Sequence, residues 1–314
     1  MNQDIRKITD GAMMLAIMGA VMLMDRQFAG FLSGTFLYLF PLPMVYYSAK
    51  YGFKDSLPVL ASLFILLFIL GTPQSIFYVG FEGVIGVVYG GSVHAGANNR
   101  KILMRTILMS VLLEVTAVLV FAAFFGYDIG AELQEYMDIF EQMSSQTGVN
   151  MTAIPGFDSL LKNIFFISII VTGILEGFIT HFFSRLLLKR LKMPLPESVP
   201  LWAYFPPKWT GYVGIAGFVA FYASISRPLD NQLYQTIMQG LGIMCIFYLA
   251  AYGYIGMIVV LPRKWPSMRH LAVVLALLML FMAAPLMAII GFLYITTDIH
   301  KNVLQGGKTD AAEN

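Results

Sequence analysis

Nine stretches of this chain are long and apolar enough to cross a lipid bilayer, and this feature restricts the fold more than any other. About 20 apolar helical residues bridge the ~30 Å hydrocarbon layer. Of the 314 residues, 58% are hydrophobic and only 12% are charged, whereas a soluble domain has roughly 25% charged residues. We therefore predict an all-α, polytopic membrane helical bundle. Its spans lie near residues 8–24, 28–49, 56–71, 75–93, 103–127, 161–187, 209–226, 233–260 and 270–296.

The distribution of Lys and Arg between alternate loops predicts the orientation of the chain. Positive residues of membrane proteins concentrate in cytoplasmic loops. With a cytoplasmic N-terminus, fifteen of the 20 Lys and Arg residues fall on the inner side. We therefore expect a multi-pass protein of the cell membrane with its N-terminus in the cytoplasm and residues 298–314 outside. The alternative has eight spans, with residues 56–93 re-entering the membrane instead of crossing it twice.

Two connections are longer than the rest and predict three parts of the chain. Residues 1–190 contain six spans, including a long acidic outer loop at 128–160. Residues 191–208 are proline-rich, and because proline interrupts helices we expect a cytoplasmic linker there. Residues 209–314 then contain three further spans and a polar tail.

The acidic outer loop has the pattern of an amphipathic helix. Its apolar residues recur every three or four positions, while acidic residues occupy the other face. Such a helix either lies on the outer surface or covers an outward-facing pocket. The apolar positions are Ile129, Leu133, Tyr136, Phe140 and Met143.

Three glutamates lie within predicted spans and are the candidate binding residues. Glu82, Glu114 and Glu176 belong to the fourth, fifth and sixth spans, and none has a basic residue within one turn of its own helix. A charge at the centre of a membrane helix costs about 2.5–3.5 kcal/mol, so each position calls for a reason. One interpretation is hydrogen bonding between helices. The other is a shared polar cavity or proton path, which requires the three helices to converge.

Few other residues indicate chemistry. His181 is about 140° around the helix from Glu176, which argues against a metal site formed by the two. The single cysteine, Cys245, excludes an intrachain disulfide. The chain has no hydrolase, nucleotide-binding or CxxC motif, and its net charge of +2 gives no indication of a nucleic-acid partner. We expect a protein that is not an enzyme and has no cofactor.

Small residues mark positions where helices can approach closely. Ala12, Ala16 and Ala20 form a ridge on the first span, with the spacing that favours helix–helix contact. Because an N-terminal helix can lie at the edge of a bundle, this ridge is a candidate docking face for a partner. Glycines recur in later spans, where we expect tight packing within the chain. They are Gly80, Gly83, Gly86, Gly90, Gly91, Gly211, Gly214, Gly217, Gly253 and Gly256.

Several short motifs resemble the YybS-like family of uncharacterised bacterial membrane proteins. They are Phe40-Pro41-Leu42-Pro43, Tyr51-Gly52-Phe53-Lys54, Glu176-Gly177 and Gly291-Phe292-Leu293-Tyr294 with Asp298. That family is distantly similar to the substrate-binding S components of energy-coupling-factor transporters. S components have six helices, and an alanine ridge on their first helix contacts a transmembrane coupling subunit. The resemblance therefore implies an S-component-like bundle in residues 1–190, whereas the three further spans depart from that layout.

The leading functional hypothesis is a small-molecule binding or transport component of the S-component type. Glu82, Glu114 and Glu176 would then bind the substrate, whose identity the sequence does not indicate. The ridge of Ala12, Ala16 and Ala20 would contact a coupling subunit associated with ATPases. The alternatives are a proton-coupled carrier that acts alone, and a structural or regulatory subunit of a cell-envelope assembly.

Overall fold

The computed structural model describes residues 3–28, 31, 37–148, 156–198, 205–229, 231–265, 267 and 269–300. Within these ranges the chain forms eleven α-helices, one 3-10 turn at Leu37–Leu39 and no strand. The all-α class predicted from the sequence is confirmed. The helices are α1 Gln3–Gln27, α2 Pro41–Tyr51, α3 Phe53–Leu70, α4 Pro73–His94, α5 Asn99–Phe124, α6 Ile129–Thr147, α7 Phe157–Arg190, α8 Lys208–Ser226, α9 Gln232–Lys264, α10 Arg269–Met282 and α11 Ala284–Thr296.

Six helices of the described part of the chain are long and apolar enough to cross a membrane. Both helices of the α3–α4 hairpin are among them, as expected for two crossings rather than a re-entrant loop. The predicted count of nine spans is not reproduced. The six segments are Asp4–Gln27, Phe53–Leu70, Ser75–His94, Asn99–Phe124, Phe157–Arg190 and Gln232–Arg263.

Capping residues explain where several of these helices begin. At the start of α4, the Ser75 backbone N–H donates to Thr72 Oγ1 (3.2 Å) and the Thr72 N–H donates to Ser75 Oγ (2.7 Å). The Asn98 side chain accepts from the Lys101 N–H at the start of α5, and Asn231 caps α9 in the same way. These bonds satisfy backbone donors that a first helical turn leaves free.

The chain divides into two compact units. The first unit comprises Met1–Asp128 and Ser168–Val199, and the second comprises Ile129–Ile167 and Pro200–Asn314. This division differs from the predicted boundary near residue 190, because the outer-loop helix α6 and the start of α7 belong to the second unit. A ring contact between Phe140 and Phe157, with centroids 5.3 Å apart, joins those two segments. The helix predicted for the outer loop is confirmed.

The glycine face of α4 determines how closely helices pack in the first unit. A Cβ atom on Gly86 would lie 2.5 Å from the carbonyl oxygen of Pro41, and one on Gly90 would meet the carbonyl oxygen of Val45. The backbone of α2 therefore lies directly against α4, and the two helices run in the same direction. The close packing predicted for these glycines is confirmed.

Of the predicted second span, 28–49, the structure describes chiefly the C-terminal half. Helix α2 has 11 residues, which at 1.5 Å per residue give about 16 Å, roughly half of the hydrocarbon thickness. Residues 29–30 and 32–36 of the predicted span lie outside the described residues. The helix that α2 forms is thus shorter than a complete crossing.

The second unit is built on close contacts of α8 and α11 with α9. A Cβ on Gly214 of α8 would lie 2.8 Å from the Leu249 side chain of α9. Gly253 of α9 and Gly291 of α11 approach so closely that a Cβ on either would meet the backbone of the other helix. Small residues therefore perform the packing role predicted for them here too.

The predicted last span, 270–296, consists of two short helices. Helices α10 and α11 have 14 and 13 residues, about 20 Å each, which is less than the ~30 Å hydrocarbon layer. They are separated at Ala283, whose backbone is not helical (φ −142°, ψ 47°), and Pro285 lies in the first turn of α11. A proline is tolerated in a first turn but interrupts a continuous helix, and a hydropathy window does not detect such a break.

The end of α11 lies beside the start of α8. Lys208 Nζ and Asp298 Oδ1 are 2.9 Å apart, and a Cβ on Gly211 would lie 3.0 Å from Ile295. The sequence prediction placed Lys208 inside and Asp298 outside the membrane. That prediction is wrong, because two residues that form an ion pair cannot lie on opposite sides of a bilayer.

Candidate functional site

The three glutamates predicted as binding residues converge on one small cavity in the first unit. Glu82 comes from α4, Glu114 from α5 and Glu176 from α7. The cavity has a volume of about 10 Å³, which is about the space that one water molecule requires. Its other lining residues are Leu37, Tyr78, Phe81, Ile85, Leu113 and Ala117. The condition for a shared polar site, convergence of the three helices, is therefore met.

Two glycines of α7 bring Glu176 to Glu114. A Cβ on Gly173 would lie 2.7 Å from Val111 Cα, and one on Gly177 would lie 2.7 Å from Ile107 Cα. The backbones of α5 and α7 are therefore in contact, as small residues four positions apart allow. Because Glu176 lies between the two glycines along α7, its carboxyl group reaches α5 at the level of Ser110 and Glu114.

Glu114 and Glu176 are close enough to share a hydrogen bond. A carboxylate has no proton to donate, so a hydrogen bond between two carboxyl groups requires one of them to be protonated. A proton on either carboxyl group would therefore allow the two to form a hydrogen bond. Two ionised carboxylates at this separation would repel each other strongly.

Glu82 is the most deeply buried of the three acids. Its side chain is 2% exposed, and neither of its carboxyl oxygens has a hydrogen-bond partner among the described residues. It experiences the charges of both Glu176 and Glu114. An isolated carboxylate in such surroundings would be very costly, so Glu82 calls for a proton or a water molecule as a partner.

Aromatic rings lie beyond the cavity, at the N-terminal end of α4 and the C-terminal end of α5. The ring of Phe77 contacts those of Phe81, Phe121 and Phe125, with centroids 5.6 to 6.0 Å apart. Tyr78 stacks on Phe121 at 5.6 Å. Aromatic pairs at these separations pack favourably. We call these five residues the aromatic cluster; it is continuous with the cavity wall through Tyr78 and Phe81.

The arrangement of the acids does not match that of a metal site. No three His, Cys, Asp or Glu side chains of the described residues lie at the spacing that a metal ion needs. His181 is partly buried beside Tyr89, with ring centroids 5.6 Å apart. It is one turn beyond the cavity and does not line it.

The predicted docking residues occupy the exposed side of α1. Ala12, Ala16 and Ala20 are all exposed, whereas Gly11 and Gly19 of the same helix pack against Val59 and Leu66 of α3. One helix thus presents its glycines to the bundle and its alanines outward. The ridge is distant in sequence from the glutamates. Within the described residues, its three alanines are exposed.

A groove of about 420 Å³ lies beside this ridge, between α1 and α3. Ala12 lines it together with the ion pair of Lys7 and Asp55. The groove is much larger than the carboxyl cavity. Its charged end lies at the start of α1.

Several residues of the site were not singled out by the sequence analysis. Gly173 and Gly177 had the spacing of a helix-packing motif, which could have identified the α5–α7 contact. Ser110, Thr180 and Ser184 are completely buried polar residues near the glutamates. Thr180 and Ser184 follow Glu176 by four and eight residues, and Ser110 precedes Glu114 by four. Because residues four apart share a helix face, this spacing could have predicted that they lie on the same faces as the glutamates.

A model of a sequence family matches most of this chain. The model of the family described as "Predicted membrane protein (DUF2232)" matches residues 16–295. The chain belongs to this family. No curated protein and no solved structure matches the chain. With the six apolar helices, family membership identifies an integral membrane protein.

Proposed function

We propose that this member of the DUF2232 family is a proton-coupled membrane carrier. The observation that supports this proposal is the convergence of Glu82, Glu114 and Glu176 on one buried cavity. Acidic residues that face the interior of a membrane bundle commonly belong to proton relays in transporters. The proposal includes the orientation expected from the positive-inside rule, in the cell membrane with a cytoplasmic N-terminus.

The size of the cavity favours a proton over an organic ligand. Pockets for small organic molecules measure roughly 300–1,000 Å³, whereas this cavity measures about 10 Å³. The hydrogen-bonded pair of Glu114 and Glu176 has a natural role in such a carrier, because one proton more or less changes its interactions sharply. Glu82 then provides a second protonation site close to the pair.

Proton flux into vesicles tests this proposal. The purified protein is reconstituted into liposomes that contain a pH-sensitive dye, and a pH gradient is imposed together with a path for counter-ions. We expect proton influx above that of empty liposomes, and we expect Glu82→Gln, Glu114→Gln and Glu176→Gln together to remove it. Glu141→Gln, an exposed acid of α6, is the matched control. Influx equal in the triple variant and the unaltered protein contradicts the proposal.

The outward-facing alanine ridge supports a second candidate, an S-component-like subunit. In this case the ridge would dock a transmembrane coupling subunit with its ATPases, and the adjoining groove of about 420 Å³ would receive part of that partner. Close helix contact of this kind requires small side chains. The exposed positions of Ala12, Ala16 and Ala20 agree with it.

Gentle purification followed by mass spectrometry tests the second candidate. We expect an ATPase pair to co-purify with the unaltered chain and to be lost from Ala16→Trp. Ile17→Trp introduces the same bulk at a neighbouring exposed position and should retain the partner. A chain that is always isolated alone excludes this candidate. A cell-envelope defect in cells that carry Ala16→Trp, without one in cells that carry the triple glutamate variant, would favour a structural subunit of a cell-envelope assembly.

A further inference from the structure

We propose that Ser110, Thr180 and Ser184 line a water-filled proton path that leads from the carboxyl cavity along the seam between α5 and α7. This inference rests on the proposed proton-coupled function. Thr180 and Ser184 follow Glu176 by four and eight residues, so the path extends about 12 Å along α7. All three hydroxyl-bearing residues are completely buried.

The hydroxyl groups of Thr180 and Ser184 have no hydrogen-bond partner among the described residues, whereas the hydroxyl group of Ser110 lies beside the carboxyl group of Glu176. A serine or threonine in a helix can usually donate to the carbonyl oxygen four residues earlier. Thr106 of α5 does so, with its Oγ1 2.8 Å from the Ile102 oxygen, and so does Ser56 of α3. Ser110, Thr180 and Ser184 do not form this bond within their own helices.

The contact of the two helices places these groups on the same seam. Gly173 and Gly177 mark the face of α7 that touches α5. Thr180 and Ser184 lie 7 and 11 residues after Gly173, which at 100° per residue puts both within about 20° of it. Thr180 and Ser184 therefore face α5. Ser110 lies on the opposite side of the same contact, on α5, beside Glu176.

Water is the partner that such groups require. An unpaired buried polar group costs about 1–3 kcal/mol, and buried waters in proteins commonly satisfy groups of this kind. A row of water molecules between hydroxyl groups also conducts protons, since each molecule accepts one proton as it donates another. The unpartnered Nδ1 of His181 lies on the same turn as Thr180 and adds a further group to the path.

Two arginines and an apolar cluster lie at the end of the seam that is farther from the carboxyl cavity. Arg185 of α7 donates to Asn99 Oδ1 (2.5 Å) and to the Pro196 oxygen (3.0 Å), and Arg105 of α5 donates to Ser92 Oγ (3.2 Å). The titratable and charged residues of the adjoining segments are Glu82 and Tyr89 in residues 82–89 of α4, Arg105 and Glu114 in residues 105–114 of α5, and Glu176, His181 and Arg185 in residues 176–185 of α7. Beyond Ser184, buried Leu188 packs with Ile102 and Tyr89 in an apolar cluster. This cluster closes the path in the present conformation.

The test combines the vesicle assay with infrared spectroscopy of the carboxyl groups. We expect the double variant Thr180→Val/Ser184→Ala to lower proton influx at least about tenfold, a typical effect of losing a proton-transfer group. Its protonated-carboxyl absorption, which is identified by its loss in Glu176→Gln, should persist. Thr106→Val is the matched control, because that hydroxyl is already bonded within α5; its influx should equal that of the unaltered protein.

The outcomes separate the path from the proposed function. Normal influx in Thr180→Val/Ser184→Ala, with influx lost in Glu176→Gln, overturns the path alone. Normal influx in the variant that combines Glu82→Gln, Glu114→Gln and Glu176→Gln, or none in the unaltered protein, overturns the proposed function and the path with it. Thr180→Ser retains the hydroxyl group at position 180. With Ser184 unaltered, this variant should have the same proton influx as the unaltered protein. If the double variant does not fold, Ser184→Ala alone should reduce influx, and normal influx in that variant also overturns the path.

Discussion

Among the described residues, buried side chains without a hydrogen-bond partner lie chiefly in the first unit, although Ser56 and Thr106 of that unit are paired. In the second unit, Gln235 Nε2 donates to the Ser224 oxygen (2.9 Å) and its Oε1 accepts from the Leu229 N–H (3.0 Å). Thr210 and Tyr248 share a bond of 2.6 Å. In the first unit, Glu82 and Thr180 are equally buried, yet their polar side-chain atoms have no partner among the described residues.

This difference supports the proposal that the functional site lies in the first unit. A buried polar group that is hydrogen-bonded contributes to the stability of the fold, whereas an unpaired one destabilises it. Several unpaired polar groups that lie close together in one unit are therefore not explained by stability. Acidic residues inside a membrane protein are candidates for a functional site by default. Gln239 is the exception in the second unit, because it is buried with neither side-chain polar atom paired.

The largest expected effect is on the packing of the second unit. In Gly291→Ala, the new Cβ would meet the backbone oxygen of Leu249, which cannot move as a side-chain end can. We expect a loss of about 3 kcal/mol or more in the free energy of unfolding, the upper range for overpacking. Thermal unfolding in detergent measures it. Gly19→Ala, whose Cβ would meet only the ends of the Leu66 and Leu70 side chains, at 3.2 and 3.5 Å, is the control and should change little.

The satisfied polar groups of the second unit provide the next test. Gln235→Leu leaves the Leu229 N–H and the Ser224 oxygen unpaired. This should reduce the free energy of unfolding by about 1–3 kcal/mol. Gln239→Leu removes an amide that has no partner, so it should be neutral or stabilising. Equal losses in the two variants would contradict the contrast between paired and unpaired amides.

In the first unit, stability and function should separate. Glu82→Met replaces a buried acid without partners by an apolar side chain of similar length. We expect unfolding to be unchanged or to require up to about 1 kcal/mol more, since apolar replacements of buried charges are often neutral or stabilising. Proton influx should be lost in the same variant. A protein that becomes both unstable and inactive would indicate that Glu82 serves the fold instead.

His300 should give the second unit a pH-dependent stability. Burial, and then the positive charge of Arg263, lower the pKa of the His300 imidazole below its ordinary value of 6.5. The imidazole also bonds Tyr294 Oη (2.6 Å) and stacks on Phe205 at 4.1 Å. Because the unfolded chain then binds a proton more readily, the contribution of His300 to stability is present above about pH 6.5 and decreases as the pH falls.

Unfolding midpoints measured between neutral and mildly acidic pH test this prediction. His300→Phe retains the aromatic stacking and removes the titrating group. We expect the midpoint of the unaltered protein to decrease more on acidification than that of His300→Phe. Parallel decreases in the two proteins would show that other groups account for the pH dependence.

The smallest effect should come from the ion pair between Lys208 and Asp298. Their side chains are 45% and 56% exposed, and exposed pairs contribute roughly 0–1 kcal/mol. A double-mutant cycle with Lys208→Ala and Asp298→Ala should give a coupling energy in that range, weakened by salt. A larger coupling would mean that the pair is shielded from water.

Much of the helical architecture could be predicted from the sequence. Apolar stretches of about 20 residues indicate helices because a bilayer demands them, and α3, α4 and α5 lie where hydropathy predicts. The break at Ala283 could not be found in this way, since residues on both sides of it are equally apolar. The short α2 was missed for the same reason, because hydropathy reports composition and not continuity.

The site could be predicted only in part. The cost of an acid in an apolar span identified Glu82, Glu114 and Glu176, but their convergence depends on how helices pack in three dimensions. Gly173 and Gly177 carry that information. A pair of glycines four apart indicates a close approach without indicating which helix approaches, so the contact with Ile107 and Val111 required a structure.

Gly173 and Gly177 have no functional group, yet they determine the distance between Glu114 and Glu176 because they determine how closely α7 approaches α5. Each addition of a methyl group there would push α5 away from α7 and widen the gap between Glu114 and Glu176 while leaving both acids in place. In the proposed carrier, the hydrogen bond between Glu114 and Glu176 would thus be adjustable from outside the cavity. Graded widening at these two positions would tune proton affinity without altering a single titratable residue.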